Sequence, residues 1–70
     1  MLQEYDVVTL RRTTAKIPLP PGTVGTIVHV HSTVPPGAYI VEFFNDAKVT
    51  IGIHDAEGND LELVKQYAPK

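Results

Sequence analysis

The sequence predicts an all-β domain, a small antiparallel barrel of five short strands. Three observations carry this. β-Branched and aromatic residues come in short runs such as Val24 to Val30 and Tyr39 to Phe44, which resist helix and suit a pleated sheet. Turn signals rich in Pro, Gly, Asn and Asp separate those runs at intervals of about 8–12 residues. No stretch carries the 3.6-residue apolar period of an amphipathic helix.

Each element follows from local chemistry. Tyr5 to Leu10 (Tyr-Asp-Val-Val-Thr-Leu) is the expected first strand. Arg11 to Pro21 is polar, then proline-rich, and reads as a long ordered loop. Pro21-Gly22 suits the centre of a type II turn, because proline presets φ and glycine accepts a positive φ next. The turn feeds the central strand, residues 24–32. There Val24, Thr26, Val28 and Val30 share one face, and Gly25, Ile27, His29 and His31 the other. Both faces carry apolar groups, as in a strand that bends between two faces of a small barrel, and Gly25 is placed for a bend or bulge.

Val34-Pro35-Pro36-Gly37-Ala38 reuses the Pro-Pro-Gly turn signal. Ala38 to Phe44 is the third strand, with Tyr39, Val41 and Phe43 inward and Ile40, Glu42 and Phe44 on the wetter face. Asn45-Asp46 is a turn. Lys48 to His54 is the fourth strand, with Val49, Ile51 and Ile53 expected inward and Thr50, Gly52 and His54 outward. Glu57-Gly58-Asn59 marks the next turn, and Leu61 to Val64 is a short last strand, open to entry through a helical turn. A long loop between strands one and two, followed by tight turns, is the layout of an SH3-like barrel.

Seventy residues fit one domain, expected to span 1–70 with a core over about 5–64 and a frayed end at 66–70. A core this small rarely supplies more than about 3–5 kcal/mol of net stability without a staple. The chain has no cysteine, which removes disulfides and cysteine-based zinc sites and suits a reducing cytosol. From Ile17 to Val41 there is no charged residue, yet Pro18, Pro20, Pro21, Pro35 and Pro36 interrupt the run, so a membrane span is not expected. The start, Met1 to Asp6, lacks the basic and apolar regions of a secretory signal, and the expected location is cytoplasmic.

Net charge is −2, which argues against a dedicated nucleic-acid binder. Residues 42–64 hold Glu42, Asp46, Asp55, Glu57, Asp60 and Glu62 against Lys48 alone, while Arg11, Arg12 and Lys16 form a small basic corner.

The motifs Asp6-Val7-Val8-x-Leu10, Pro21 to Val30, Ala38-Tyr39-x-Val41-Glu42-Phe43 and Asp60-Leu61 together resemble a family of small bacterial proteins of about this length, a domain of unknown function. The resemblance covers about residues 5–64 and implies an SH3-like barrel and no activity. Gly22-x-x-Gly25-x-Ile27 is also similar to the KOW motif of ribosomal proteins and transcription-elongation factors. The same pattern recurs in a photosystem accessory subunit and in the barrel of nitrile hydratase β subunits, so it reports how such a barrel turns its corner. The lysines and arginines expected around a KOW motif are missing here.

Candidate chemistry is sparse. His29 and His31 share a strand face and His54 ends the fourth strand, so three imidazoles could form a facial metal site. No second shell is recognisable, and half-exposed, hydrogen-bonded histidines explain them as well, so no metal or other cofactor is expected. Asp55-x-Glu57-Gly58-Asn59-Asp60-x-Glu62 has its glycine too early for a calcium loop and reads as a solvated turn. With one serine, no cysteine and no nucleophile elbow or phosphate loop, catalysis is not expected.

What remains is interaction: a non-catalytic binding or accessory module with an unidentified protein partner, or with itself as a homodimer through an edge strand. The alternatives are a KOW-like RNA- or ribosome-associated module and an accessory or antitoxin-like partner of a larger protein. The candidate contact residues are Arg11, Arg12, Lys16, Ile17 and Leu19 in the first loop; equally, Ile17 and Leu19 could cap the open end of the barrel.

Overall fold

A computed structural model describes residues 2–68. Five strands, β1 (Val7–Leu10), β2 (Val24–Ser32), β3 (Ala38–Phe44), β4 (Thr50–Glu57) and β5 (Leu61–Lys65), form one antiparallel sheet in the order β4-β3-β2-β1-β5. A 3₁₀ turn, Gly58–Asp60, joins β4 to β5. The all-β, five-stranded expectation stands. The expected closure does not: among the described residues, no ladder joins β4 to β5.

The sheet curls because its ladders carry extra residues. On β2, Ile27 opposes Val41 but His29 opposes Ile40, which leaves Val28 over; His31 is likewise left over between Val30 and Ser32. Each bulge adds local twist and shifts the pleat. Val30 therefore packs against the core, while His29 moves to the face of Ile40, away from the Ile27 face where simple alternation puts it. Gly25 is not the bulge. It opposes Phe43, and a Cβ there would lie 2.6 Å from Val41 Cγ1 and 2.9 Å from Phe43 Cδ1. Its role is to let β3's side chains lie flat on β2.

The core lies on one face of the sheet: Val8, Leu10, Ile27, Tyr39, Val41, Phe43, Ala56 and Leu61, with Ile17 brought in from the first loop. β3 follows the expected alternation, with Tyr39, Val41 and Phe43 buried. β4 reverses it. Phe43 opposes Gly52, Val41 opposes His54 and Tyr39 opposes Ala56, so the small or polar positions face inward. Ile51 and Ile53 point outward, 42% and 62% exposed, and Val49 before them is 57% exposed. Large side chains on β3 fill the space that β4's isoleucines would need, and volume decides the register. The strand also starts later than expected, because the β3–β4 turn runs through Lys48.

Both ends of the chain are tied to one buried carboxylate. Asp6 is fully buried, and accepts the Gln3 N–H at 2.8 Å and the Tyr67 N–H at 2.8 Å. Its backbone continues the β2 pairing: Ile27 donates to the Asp6 carbonyl at 3.0 Å, and Tyr5 donates to Ile27 at 2.6 Å. Tyr67 also meets the Tyr5 ring edge-on at 5.3 Å. The expected frayed tail 66–70 is thus held at Tyr67, while residues 69 and 70 lie outside the described residues.

Candidate functional site

The sheet's outer face carries a groove of about 890 Å³. Its floor is apolar: Val7 of β1, Val24 of β2, Phe44 of β3 and Ile51 of β4. Register explains the row, since Val24 opposes Phe44, and Ile51 is the residue left over between the Phe43–Gly52 and Phe44–Thr50 pairs. Val24 is 45% exposed, and its neighbours on the floor are at least partly open. The size falls within the range of about 300–1,000 Å³ typical of ligand clefts.

Two turns wall the groove. On one side, Thr23 N–H donates to the Pro20 carbonyl at 3.2 Å and Gly22 has φ +86°, the type II turn expected at Pro21-Gly22. Thr23 Oγ1 donates to the same carbonyl at 2.6 Å. On the other side, Asn45 organises the β3–β4 turn. Its Oδ1 accepts the Ala47 N–H at 2.9 Å and the Val49 N–H at 3.0 Å, and its carbonyl accepts the Lys48 N–H at 2.9 Å. Lys48 takes φ +63° to complete the loop. Asp46 and Lys48 are the charged residues of the rim, one of each sign.

The second Pro-Pro-Gly behaves differently. Gly37 donates to the Val34 carbonyl at 2.7 Å, with the Pro35–Pro36 peptide cis, so the glycine ends this turn where Gly22 sits inside the first.

The first-loop candidates divide. Ile17 is 1% exposed and presents no surface; with Leu19 it packs against the core, closing its open end. Thr14 fixes that plug through its hydroxyl, which accepts the Ile17 N–H at 3.0 Å. Arg12 is exposed but lies along the protein surface, donating to the Asn59 carbonyl at 2.8 Å and lying 3.7 Å from Asp60. The basic corner thus meets the acidic segment within the chain. Arg11 and Lys16 remain exposed.

The three histidines do not converge. His29 and His31 sit 4.8 Å apart, ring edge to ring face, and His31 Nε2 lies 3.8 Å from Asp55 Oδ1. His54 is on the opposite face, aligned with Val41 and 6.1 Å from the Phe43 ring. No cluster of three metal-ligating side chains occurs among the described residues. In the Asp55–Glu62 segment, Asp60 Oδ2 accepts the Glu57 N–H at 3.2 Å, so that carboxylate closes a 3₁₀ turn.

Sequence reasoning missed the groove. The available signal was Phe44, an aromatic on the strand face that Glu42 marks as wet, directly before a turn.

No helix is long and apolar enough to cross a membrane among the described residues. No curated protein and no solved structure matches the chain. A profile of one family matches residues 4–63, most of the chain, and its description is "Domain of unknown function (DUF4926)". The chain belongs to this DUF4926 family.

Proposed function

We propose that this protein is a cytoplasmic, non-catalytic binding module built on a partly open SH3-like barrel, and that its outer groove receives an extended, apolar segment of a partner protein. The strand order β4-β3-β2-β1-β5, the long first loop and the 3₁₀ turn before β5 support the fold reading. The observation that carries the functional reading is the groove itself. An apolar floor with Val24 and Ile51 exposed lies between two hydrogen-bonded turns, on a chain whose core is elsewhere. Exposed apolar surface costs solubility, and a contiguous patch on a small protein marks a contact surface. Rigid walls lower the ordering cost of binding. The rim, with one acid and one base, favours an uncharged segment over a polyanion.

The test is selection of a random peptide library on the intact protein. Enriched peptides should be rich in apolar residues and lose at least about tenfold in affinity, roughly 1.4 kcal/mol, on Val24→Glu. Arg11→Ala with Arg12→Ala should leave their binding unchanged. Failure to enrich any peptide overturns the reading. So does tight binding of single-stranded RNA that falls steeply with salt and is lost in the double arginine variant, which would favour the KOW-like alternative.

A further inference from the structure

We propose that the groove selects a segment with a cationic side chain two residues from its apolar anchor, held there by the carboxylate of Glu42. This inference rests on the groove reading and adds to it the charge that the bound segment carries.

Glu42 stands on the same face of β3 as Phe44, one pleat closer to the middle of the sheet. It opposes Thr26 of β2 and Ile53 of β4, and both Thr26 and Phe44 line the groove. The turns at 20–23 and 45–48 wall the groove on either side. A segment seated between them runs along β2 and β3 and passes from Phe44 to Glu42. Alternate residues of a strand lie about 6.5–7 Å apart on one face, and an extended ligand repeats at the same spacing. The side chain two residues from the one over Val24 and Phe44 therefore falls over Glu42.

The carboxylate lacks a counter-charge. It is partly buried, with half-buried Ile40 and Phe44 beside it on β3. Its Oε2 accepts the Thr50 hydroxyl at 2.6 Å, and no cation among the described residues pairs with it. The rim charges of Asp46 and Lys48 offset each other, so Glu42 sets the sign at this end of the groove. An apolar side chain laid over Glu42 strips water from an unpaired carboxylate, which costs free energy. A lysine or arginine in that place replaces the water with a charge-assisted hydrogen bond. An acidic residue there adds like-charge repulsion.

Three peptide libraries test this on the intact protein. Each has leucine fixed at its centre, with the positions two residues to either side fixed as lysine, methionine or glutamate, and the rest random. The wild type should retain the lysine library about tenfold more than the methionine library, as a hydrogen bond between charged groups supports, and the glutamate library least. That preference should shrink as salt is raised. Glu42→Gln should hold the lysine and methionine libraries equally, and Glu42→Lys should favour the glutamate library. Val24→Ser, which changes the floor without adding charge, should lower retention of all three. Equal retention of the lysine and methionine libraries by the wild type overturns the inference; if Val24→Ser still lowers both, the groove reading stands without it. A lysine preference that survives Glu42→Gln also overturns it, because the cation is then held elsewhere. Retention of none of the libraries overturns both readings.

Discussion

β3 and β4 are hydrogen-bonded neighbours, yet they treat their large side chains in opposite ways. β3 buries Tyr39, Val41 and Phe43, while β4 buries Ala56 and turns Ile51 and Ile53 to solvent. The difference teaches that in a thin sheet the second strand takes the register the first leaves open. Phe43 lies across Gly25 on one side and Gly52 on the other; with Val41 it fills the space over Gly25, and the His54 ring fills the space over Gly52. With that space filled, apolar residues on β4 are left for surface roles. The groove draws on this surplus through Ile51.

Removing the ring attacks the comparison where it is strongest. Phe43→Ala should cost about 3–5 kcal/mol, a large part of the stability of a domain this size, because it deletes a fully buried aromatic between two glycines. Urea unfolding measures it. A loss under 1 kcal/mol would mean that Phe43 does not set the β4 register.

Enlarging the inward position of β4 presses from the other side. Ala56→Leu, opposite Tyr39, should destabilise by about 1–3 kcal/mol through overpacking, although it adds apolar surface. If the variant gains stability in thermal unfolding, the inner layer has unfilled volume and the steric argument for the register is wrong.

Much of this was legible in the sequence. The bounds of β2 and β3 and the type II turn at Pro21-Gly22 follow from branching, φ preference and alternation. For Ile17 the sequence leaves a contact role and a capping role open, and only its burial decides for the second. β4 was not. Its apolar alternation names two faces but cannot say which is inner when the inner residues are Gly52, His54 and Ala56; that depends on the bulk of β3. The bulges at Val28 and His31 were equally hidden, since Gly25 is the residue that looks like one. Asp6 looked like an ordinary strand residue, because nothing local shows that Gln3 and Tyr67 will both donate to it. The groove went unseen for the same reason as β4: it needs the outward face of four strands at once.

The turn between the two strands gives a smaller effect of opposite sign. Lys48 holds φ +63°, a conformation that costs a non-glycine residue about 1–2 kcal/mol, while glycine adds chain entropy of about 0.5–1 kcal/mol. Lys48→Gly should therefore stabilise by less than about 1 kcal/mol, read as a rise in the thermal midpoint. Destabilisation would show that the lysine side chain makes a contact worth more than the backbone relief.

The most direct test of the central claim is the unfolding free energy of Ile53→Thr, measured in urea at dilute concentration where chains are single. The substitution keeps β-branching and replaces an apolar arm with a hydroxyl. If Ile53 points to solvent, as the reversed register has it, stability stays within about 0.5 kcal/mol of wild type, as for an ordinary surface position. A loss of about 2 kcal/mol or more would place Ile53 in the core and contradict the reversed register on which the account stands.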